Sequence, residues 1–539
     1  MTRAWSGLAV MLLAAFMDVV DSTIVGVALP EIQRTLGADG AELQWVDAAY
    51  PLAFALALIT GGRLGDLRGR RPVFLAGVAG FTAASALSGL ATTPGVLVAG
   101  RVLQGVAAAV MVPQVLGHLR AAFPPRARGA AFGLYGAVLA LAAVSGPLLG
   151  GLLTGADLLG LGWRSIFLVN VPVGVLTLVA GLVLLPRPPA RAGPASLDLV
   201  GVVLLAAALL ALLYPLVQGR EHGGAWWLTC AVAPLLVLFL AHERRVAAGG
   251  GVPLVRPGLF ADRAVSVGLL VGLVFSAGGK FGFVLSVHLQ TGLGADPLAV
   301  GAAFVPFALG VVAGSAARAL PGRRGPGRTA VRTGVAVMTA GLVATALTVR
   351  WWGPELRSWQ LAPGLLLAGA GLAVVTAALV DLVLGAVREE EAGSVSGLVN
   401  TAFQLGTAIG IAVVGSVFYA VVGGSVTTAA DHRARHLDPA AVGAPRSTQP
   451  EAAAAVRCLA AEHAAAATTG ARPSRCTAPA DPEVRRLAED AAGDAVRQGF
   501  ARAAESGLWV TTGILAVGLA AAGALPARAR RLRSGAAAP

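Results

Sequence analysis

Apolar residues gather into runs of about 20, the length a helix needs to cross a hydrocarbon layer, with short polar stretches between them. The runs cover residues 7–29, 44–64, 73–93, 95–119, 130–154, 165–186, 198–218, 226–243, 264–289, 298–320, 330–349, 361–387, 394–423 and 507–526. This pattern predicts an all-α polytopic membrane protein of fourteen transmembrane helices. A Pro-rich stretch, PRPPARAGP at 186–194, reads as a linker after the sixth run. A long polar stretch rich in Ala, Arg and Asp separates the thirteenth run from the last.

The polar positions inside the runs carry the candidate chemistry. MDVVDSTIVGVALP, from Met17 to Pro30, sets Asp18 and Asp21 in an otherwise apolar helix. Three residues apart, they share one helix face, and ionisable groups at membrane depth are costly enough to mark functional sites. LVAGRVLQGVAAAV, from Leu97 to Val110, holds Arg101 inside the fourth run, with Gln104 and Gly105 on the next turn. A guanidinium cannot shed its cost by deprotonating, so Arg101 either pairs with Asp21, at similar depth, or snorkels to the surface.

Lys280, in SAGGKFGFVL of the ninth run, is the only lysine in the chain. A desolvated lysine can titrate where arginine cannot, so it reads as a switchable cation that pairs with Asp18 or Asp21 in one state, or meets an anionic substrate group. A snorkelling lysine or a fixed ion pair is the structural alternative. Asp47, near the outer end of the second run, and Asp381, toward the cytoplasmic end of the twelfth, are further coupling candidates that water reaches more easily.

Composition agrees with the pattern: 56% of residues are hydrophobic and 13% charged, against about 25% charged in a soluble domain. The net charge of +13 does not imply nucleic acid, because the arginines lie in short clusters between apolar runs. With a cytoplasmic N terminus, 24 arginines fall in inner loops and tails and only Arg34, Arg164, Arg220, Arg350 and Arg357 in short outer loops. That asymmetry predicts both termini inside a plasma membrane. The first run carries central acids and no cleavage site, so it is expected to stay. Cys230, Cys458 and Cys476 lack the spacing of a metal or redox site, and no cofactor or metal is implied. Cys458 and Cys476 fall on the oxidising side, where a disulfide between them is expected.

Motifs add a resemblance. GRLGDLRGRRPVF, Gly62 to Phe74, resembles the loop signature of the major facilitator superfamily through Gly62, Leu64, Asp66, Gly69, Arg70 and Arg71, with Leu67 where a basic residue is usual. The resemblance implies a conformational latch in which Asp66, at a helix end, pairs with basic groups of a neighbour. Arg101 is similar to the intramembrane arginine of the same family. SGPLLGG, which includes Gly146, Pro147, Gly150 and Gly151, is similar to the Gly-Pro motif of its antiporters, although Val138 and Ala142 replace the upstream glycines. DSTIVGVALP from Asp21 resembles the first-helix signature of the fourteen-span drug:proton antiporters, with Gly26 where asparagine is common.

The resemblance implies two six-helix bundles with two helices added between them. On this chain the division is 1–186 for the first half, 187–245 for the linker and extra helices, 246–423 for helices nine to thirteen, 424–505 for an extracytoplasmic loop and 506–539 for the last helix and a basic tail. It also implies that helices one, four, nine and twelve line the path. The expected function is proton-driven export of drugs or other amphipathic small molecules by alternating access. Asp18 or Asp21, with Asp21 favoured by the signature, would exchange proton for substrate. A dedicated natural-product exporter is the close alternative. An uptake symporter could use the same acids, but the Gly-Pro motif and fourteen spans point outward. No nucleophile–base pair, metal cluster or phosphate loop suggests an enzyme, and the expected partners are protons, substrate and lipid, with the chain monomeric.

Overall fold

The computed structural model describes residues 2–157, 160–186, 198–218, 225–251, 253–255, 257–319, 327–387, 392–442, 444–469, 476–477 and 479–526. Among them, fourteen helices are long and apolar enough to cross a membrane. In the first half these are α1 (Ala4–Leu36), α2 (Gly40–Gly65), α3 (Arg70–Gly89), α4 (Pro94–Leu119), α5 (Gly133–Gly155) and α6 (Gly162–Leu184). The hairpin α7 (Leu199–Gln218) and α8 (Trp226–Ala248) follows. The second half holds α9 (Arg263–Gly292), α10 (Pro297–Arg318), α11 (Gly327–Glu355), α12 (Ser358–Leu384), α13 (Val395–His436) and, after a further helix α14 (Gln449–Thr469), α15 (Pro482–Ala522).

Packing divides along those lines. In the first half, α1 lies against α5 and α6, and α4 against α2 and α3; in the second, α13 and α15 flank α9, and α12 packs on α10 and α11. The hairpin sits at the edge, with α7 against both α2 and α13. Leu182, Val183, Val203 and Val237 are exposed, as apolar side chains are where a helix meets lipid rather than protein.

Glycines set the closest approaches, because a missing Cβ lets backbones touch. A Cβ on Gly105 would fall 2.4 Å from Tyr50 O, and one on Gly61 2.2 Å from Ala109 O, so α2 and α4 cannot separate without loss of packing.

The halves meet toward the end that carries α14. There Gln290 of α9 donates to Val27 O of α1 at 2.7 Å, and Gly40 of α2 stands against the Tyr419 ring of α13. Gln33 of α1 reaches the Ala466 carbonyl of α14 at 3.3 Å.

Three features depart from the apolar pattern. First, α9 is interrupted: one helix ends at Gly278, another begins at Phe281, and a wide π turn occupies His288–Gly292. Second, the helix of α13 covers 45 residues, Ala392–His436, and so spans about 67 Å, twice a hydrocarbon layer of about 30 Å. Third, α15 begins at Pro482, capped by Asp481, well before the last apolar run. The α13 extension carries Ala, Arg and Asp and the α15 extension Ala, Arg, Glu and Asp, which favour or tolerate helix without favouring lipid.

Candidate functional site

Asp21 lies at the centre of a polar cluster inside the first half. It is fully buried and accepts from Arg101 Nη1 at 2.5 Å, Gln104 Nε2 at 2.9 Å and Asn170 Nδ2 at 2.7 Å. Arg101, itself 1% exposed, also donates from Nε to Val46 O at 3.3 Å, and its guanidinium lies 4.5 Å from the Tyr50 ring centroid. Ser85 accepts from Gln104 at 2.8 Å. Five helices, α1, α2, α3, α4 and α6, thus converge on one ion pair, and each of its charges has the hydrogen bonds that burial demands.

Asp18, one turn earlier on α1, is held differently. Its Oδ1 accepts from the Tyr50 hydroxyl, its single hydrogen bond among the described residues. Oδ2 has no partner among the described residues. A proton can bind there without displacing a donor, whereas at Asp21 it would have to break the guanidinium or an amide contact.

The other predicted residues lie apart from this cluster. Lys280 falls in the break of α9, half-buried, and makes no ion pair among the described residues. Its expected pairing with Asp18 or Asp21 is not among the ion pairs of this conformation, in which Arg101 is the cation on Asp21. Asp47 is buried beside Val46 and has no hydrogen-bond or ion-pair partner among the described residues. Asp381 is 74% exposed at the end of α12 and pairs with Arg318 of α10 at 3.1 Å, a solvated surface contact. Asn170 and Ser85 were not singled out by sequence, although a lone asparagine in an apolar span is itself a signal of interhelical bonding.

The Gly62–Phe74 motif forms the α2–α3 turn. Gly69 has φ +88°, a conformation that L side chains rarely adopt. Arg70 donates to Gly117 O of α4, and a Cβ on Gly117 would fall 2.7 Å from that guanidinium. Arg71 donates to Leu182 O of α6 at 2.6 Å. The basic residues therefore tie the turn to carbonyls of two neighbouring helices. A Cβ on Gly62 would make ordinary contact with Pro113, and the Asp66 side chain lies outside the described residues.

The Gly-Pro motif of α5 stands between α1 and α10. A Cβ on Gly146 would strike Thr23, one on Gly150 would lie 2.9 Å from Ile24 O, and one on Gly151 would lie 2.4 Å from Pro297 O. Across the same contact, a Cβ on Gly301 would lie 2.7 Å from Pro147 O. The motif is thus part of the junction between the halves. Cys458 of α14 is joined to Cys476, with Cα atoms 5.8 Å apart.

Residues 11–411 match the family model of the Major Facilitator Superfamily. The chain belongs to the major facilitator superfamily. Within this superfamily it is 38% identical over 536 residues to a probable actinorhodin transporter of Streptomyces coelicolor, covering 98% of this chain and 93% of that one. It is 35% identical to a tetracenomycin C resistance and export protein of Streptomyces glaucescens, over 78% of this chain and 77% of that one. Among solved structures, a bacterial homolog of the human lysosomal transporter Spinster, in an inward-facing and unoccupied conformation, shares the fold with a TM-score of 0.58 at 17% identity, covering 96% of this chain and 97% of that one. The superfamily fold gives the α5–α10 contact a consequence. Substituting Gly151 by Val is expected to disfavour the closed junction by about 1–3 kcal/mol, or roughly fivefold to 150-fold in population. A distance measurement between spin labels on α5 and α10 would show the broadening.

Proposed function

We propose that this transporter exports an amphipathic natural product with antibiotic activity, driven by protons that move inward, and that Asp18 carries the proton while Asp21 anchors the α1–α4 junction. The unequal bonding of the two acids carries this reading: three donors on Asp21, one being a guanidinium, against one hydroxyl on Asp18. The arginine asymmetry supports an orientation with both termini in the cytoplasm and the α14 end outside. Contacts between the halves near that outer end then leave the path open to the cytoplasm, where substrate enters and displaces a proton. Rocking of the halves exposes Asp18 to the outside, where protonation releases the substrate. The chain acts as a single transport unit, without covalent chemistry on its cargo.

The relatives named as export and resistance proteins support the outward direction. The alignment with the probable actinorhodin transporter covers 98% of the chain, so it includes most of the 424–505 stretch and favours a dedicated exporter over a broad efflux pump. Expression in a sensitive host, challenged with actinorhodin, tetracenomycin C, puromycin and unrelated synthetic dyes, tests this. Tolerance confined to a few natural products, and their accumulation in acidified everted vesicles, is the expected result. Accumulation in right-side-out vesicles under an inward proton gradient would establish uptake instead.

A further inference from the structure

Two buried acids far from the α1–α4 cluster are only half bonded. Glu243, on α8, is 0% exposed; its Oε2 accepts from the Val255 N–H at 2.8 Å, and its Oε1 has no partner among the described residues. Asp198, just ahead of α7, has a side chain 6% exposed. Its Oδ1 accepts from the Gly201 N–H at 2.8 Å and lies 2.8 Å from His242 Nε2, while Oδ2 has no partner among the described residues. The two unpartnered oxygens occupy one space: a Cβ on Gly201 would stand 2.6 Å from Glu243 Oε1 and 2.8 Å from Asp198 Oδ2.

Two ionised carboxylates in a shared dry site repel, and a buried oxygen left without a partner carries its full desolvation cost. A single hydrogen between them removes both penalties. We propose that Asp198 and Glu243 bind one shared proton, and that this proton-loaded pair fastens the entry of the second half to the α7–α8 hairpin.

The mechanical link is the stretch 253–255, which leads from α8 toward α9. Glu243 grips its Val255 N–H, and Arg63 at the end of α2 donates to its Pro253 carbonyl. The connection is thus held from the hairpin and from the first half together. Loss of the proton sets Glu243 against Asp198 and frees Val255.

Few other charges bear on the pair. His242 meets Asp198 from α8, Arg63 is directed to Pro253 O, and Asp262 caps the first turn of α9 through Ala264 and Val265. Arg244 and Arg245 are exposed. Burial works against the charge of Asp198, yet the Gly201 N–H and His242 hold its carboxyl below the usual carboxylate range. Because the fastening needs the proton between Glu243 Oε1 and Asp198 Oδ2, it is present at low pH and lost as that proton leaves on raising pH.

Hydrogen exchange of the full-length protein in nanodiscs, corrected for the intrinsic pH dependence and compared at about pH 6 and about pH 9, tests this without substrate. In wild type, protection of the Val255 amide should fall about tenfold across that range. Glu243→Gln, whose amide donates to Asp198 at every pH while its carbonyl accepts from Val255, should hold protection constant. Asp198→Asn, donating in the other direction, gives a second constant profile if Glu243→Gln does not fold. The same fall in wild type and in a folded amide variant would overturn the proposal, as would an unprotected Val255 at low pH.

Discussion

Arg101→Met is expected to destabilise the protein by about 3–5 kcal/mol, the usual cost of removing one partner from a buried ion pair. Asp21 would remain with 0% exposure and no cation, and the contacts with Val46 O and the Tyr50 ring would vanish as well. Two amide donors, from Gln104 and Asn170, cannot replace a full positive charge in that environment. The double variant Arg101→Met with Asp21→Asn removes both charges and should recover most of the loss, because the penalty comes from the uncompensated carboxylate. Arg101→Lys should fall between, since an ammonium keeps the charge but lacks the planar fork that spans Asp21, Gln104 and Val46. Thermal unfolding of the four proteins in one detergent gives the cycle. A wild-type midpoint for Arg101→Met would show that the pair does not hold the first half together.

The second large effect separates the two acids of α1. Asp18→Asn should fold, because a carboxamide still accepts from Tyr50, but export should lose its dependence on the pH gradient. One proton entering across about 100 mV supplies roughly 2.3 kcal/mol, so the steady-state accumulation ratio in everted vesicles should drop by roughly fiftyfold. Asp21→Asn should fail differently: Arg101 would be buried without a counter-charge, and the amount of folded protein should fall. Normal yield of Asp21→Asn together with full pH-driven accumulation by Asp18→Asn would reverse the two roles.

Membrane crossing was legible because each span is long enough to show in composition alone. The pairing of Asp21 with Arg101 was also within reach, since both are forced to find a partner at similar depth. The rest of the cluster was not. Gln104, Asn170 and Ser85 come from three helices, and nothing in their own segments states which neighbour they face. The amides of Gln104 and Asn170, with Arg101, fill the oxygens of Asp21, while Asp18 keeps an open one. Lys280 is limited in the same way: being the only lysine marks it chemically, but sequence does not say which group it faces, and a pairing expected in one state need not be present in this one. Helix ends were obscured where α13 and α15 continue past their apolar runs, because hydropathy records contact with lipid and not backbone conformation. Gly278 and Gly279, adjacent in sequence, did mark the break in α9, as consecutive glycines lower helix propensity by about 1 kcal/mol each.

The most direct measurement counts protons as substrate binds. Purified protein in weakly buffered detergent solution near neutral pH, titrated with the compound to which it confers tolerance, should release up to about one proton per molecule bound. Asp18→Asn should bind the compound and release none. Proton release by Asp18→Asn equal to that of the wild type would contradict the assignment of Asp18 as the acid that exchanges proton for substrate.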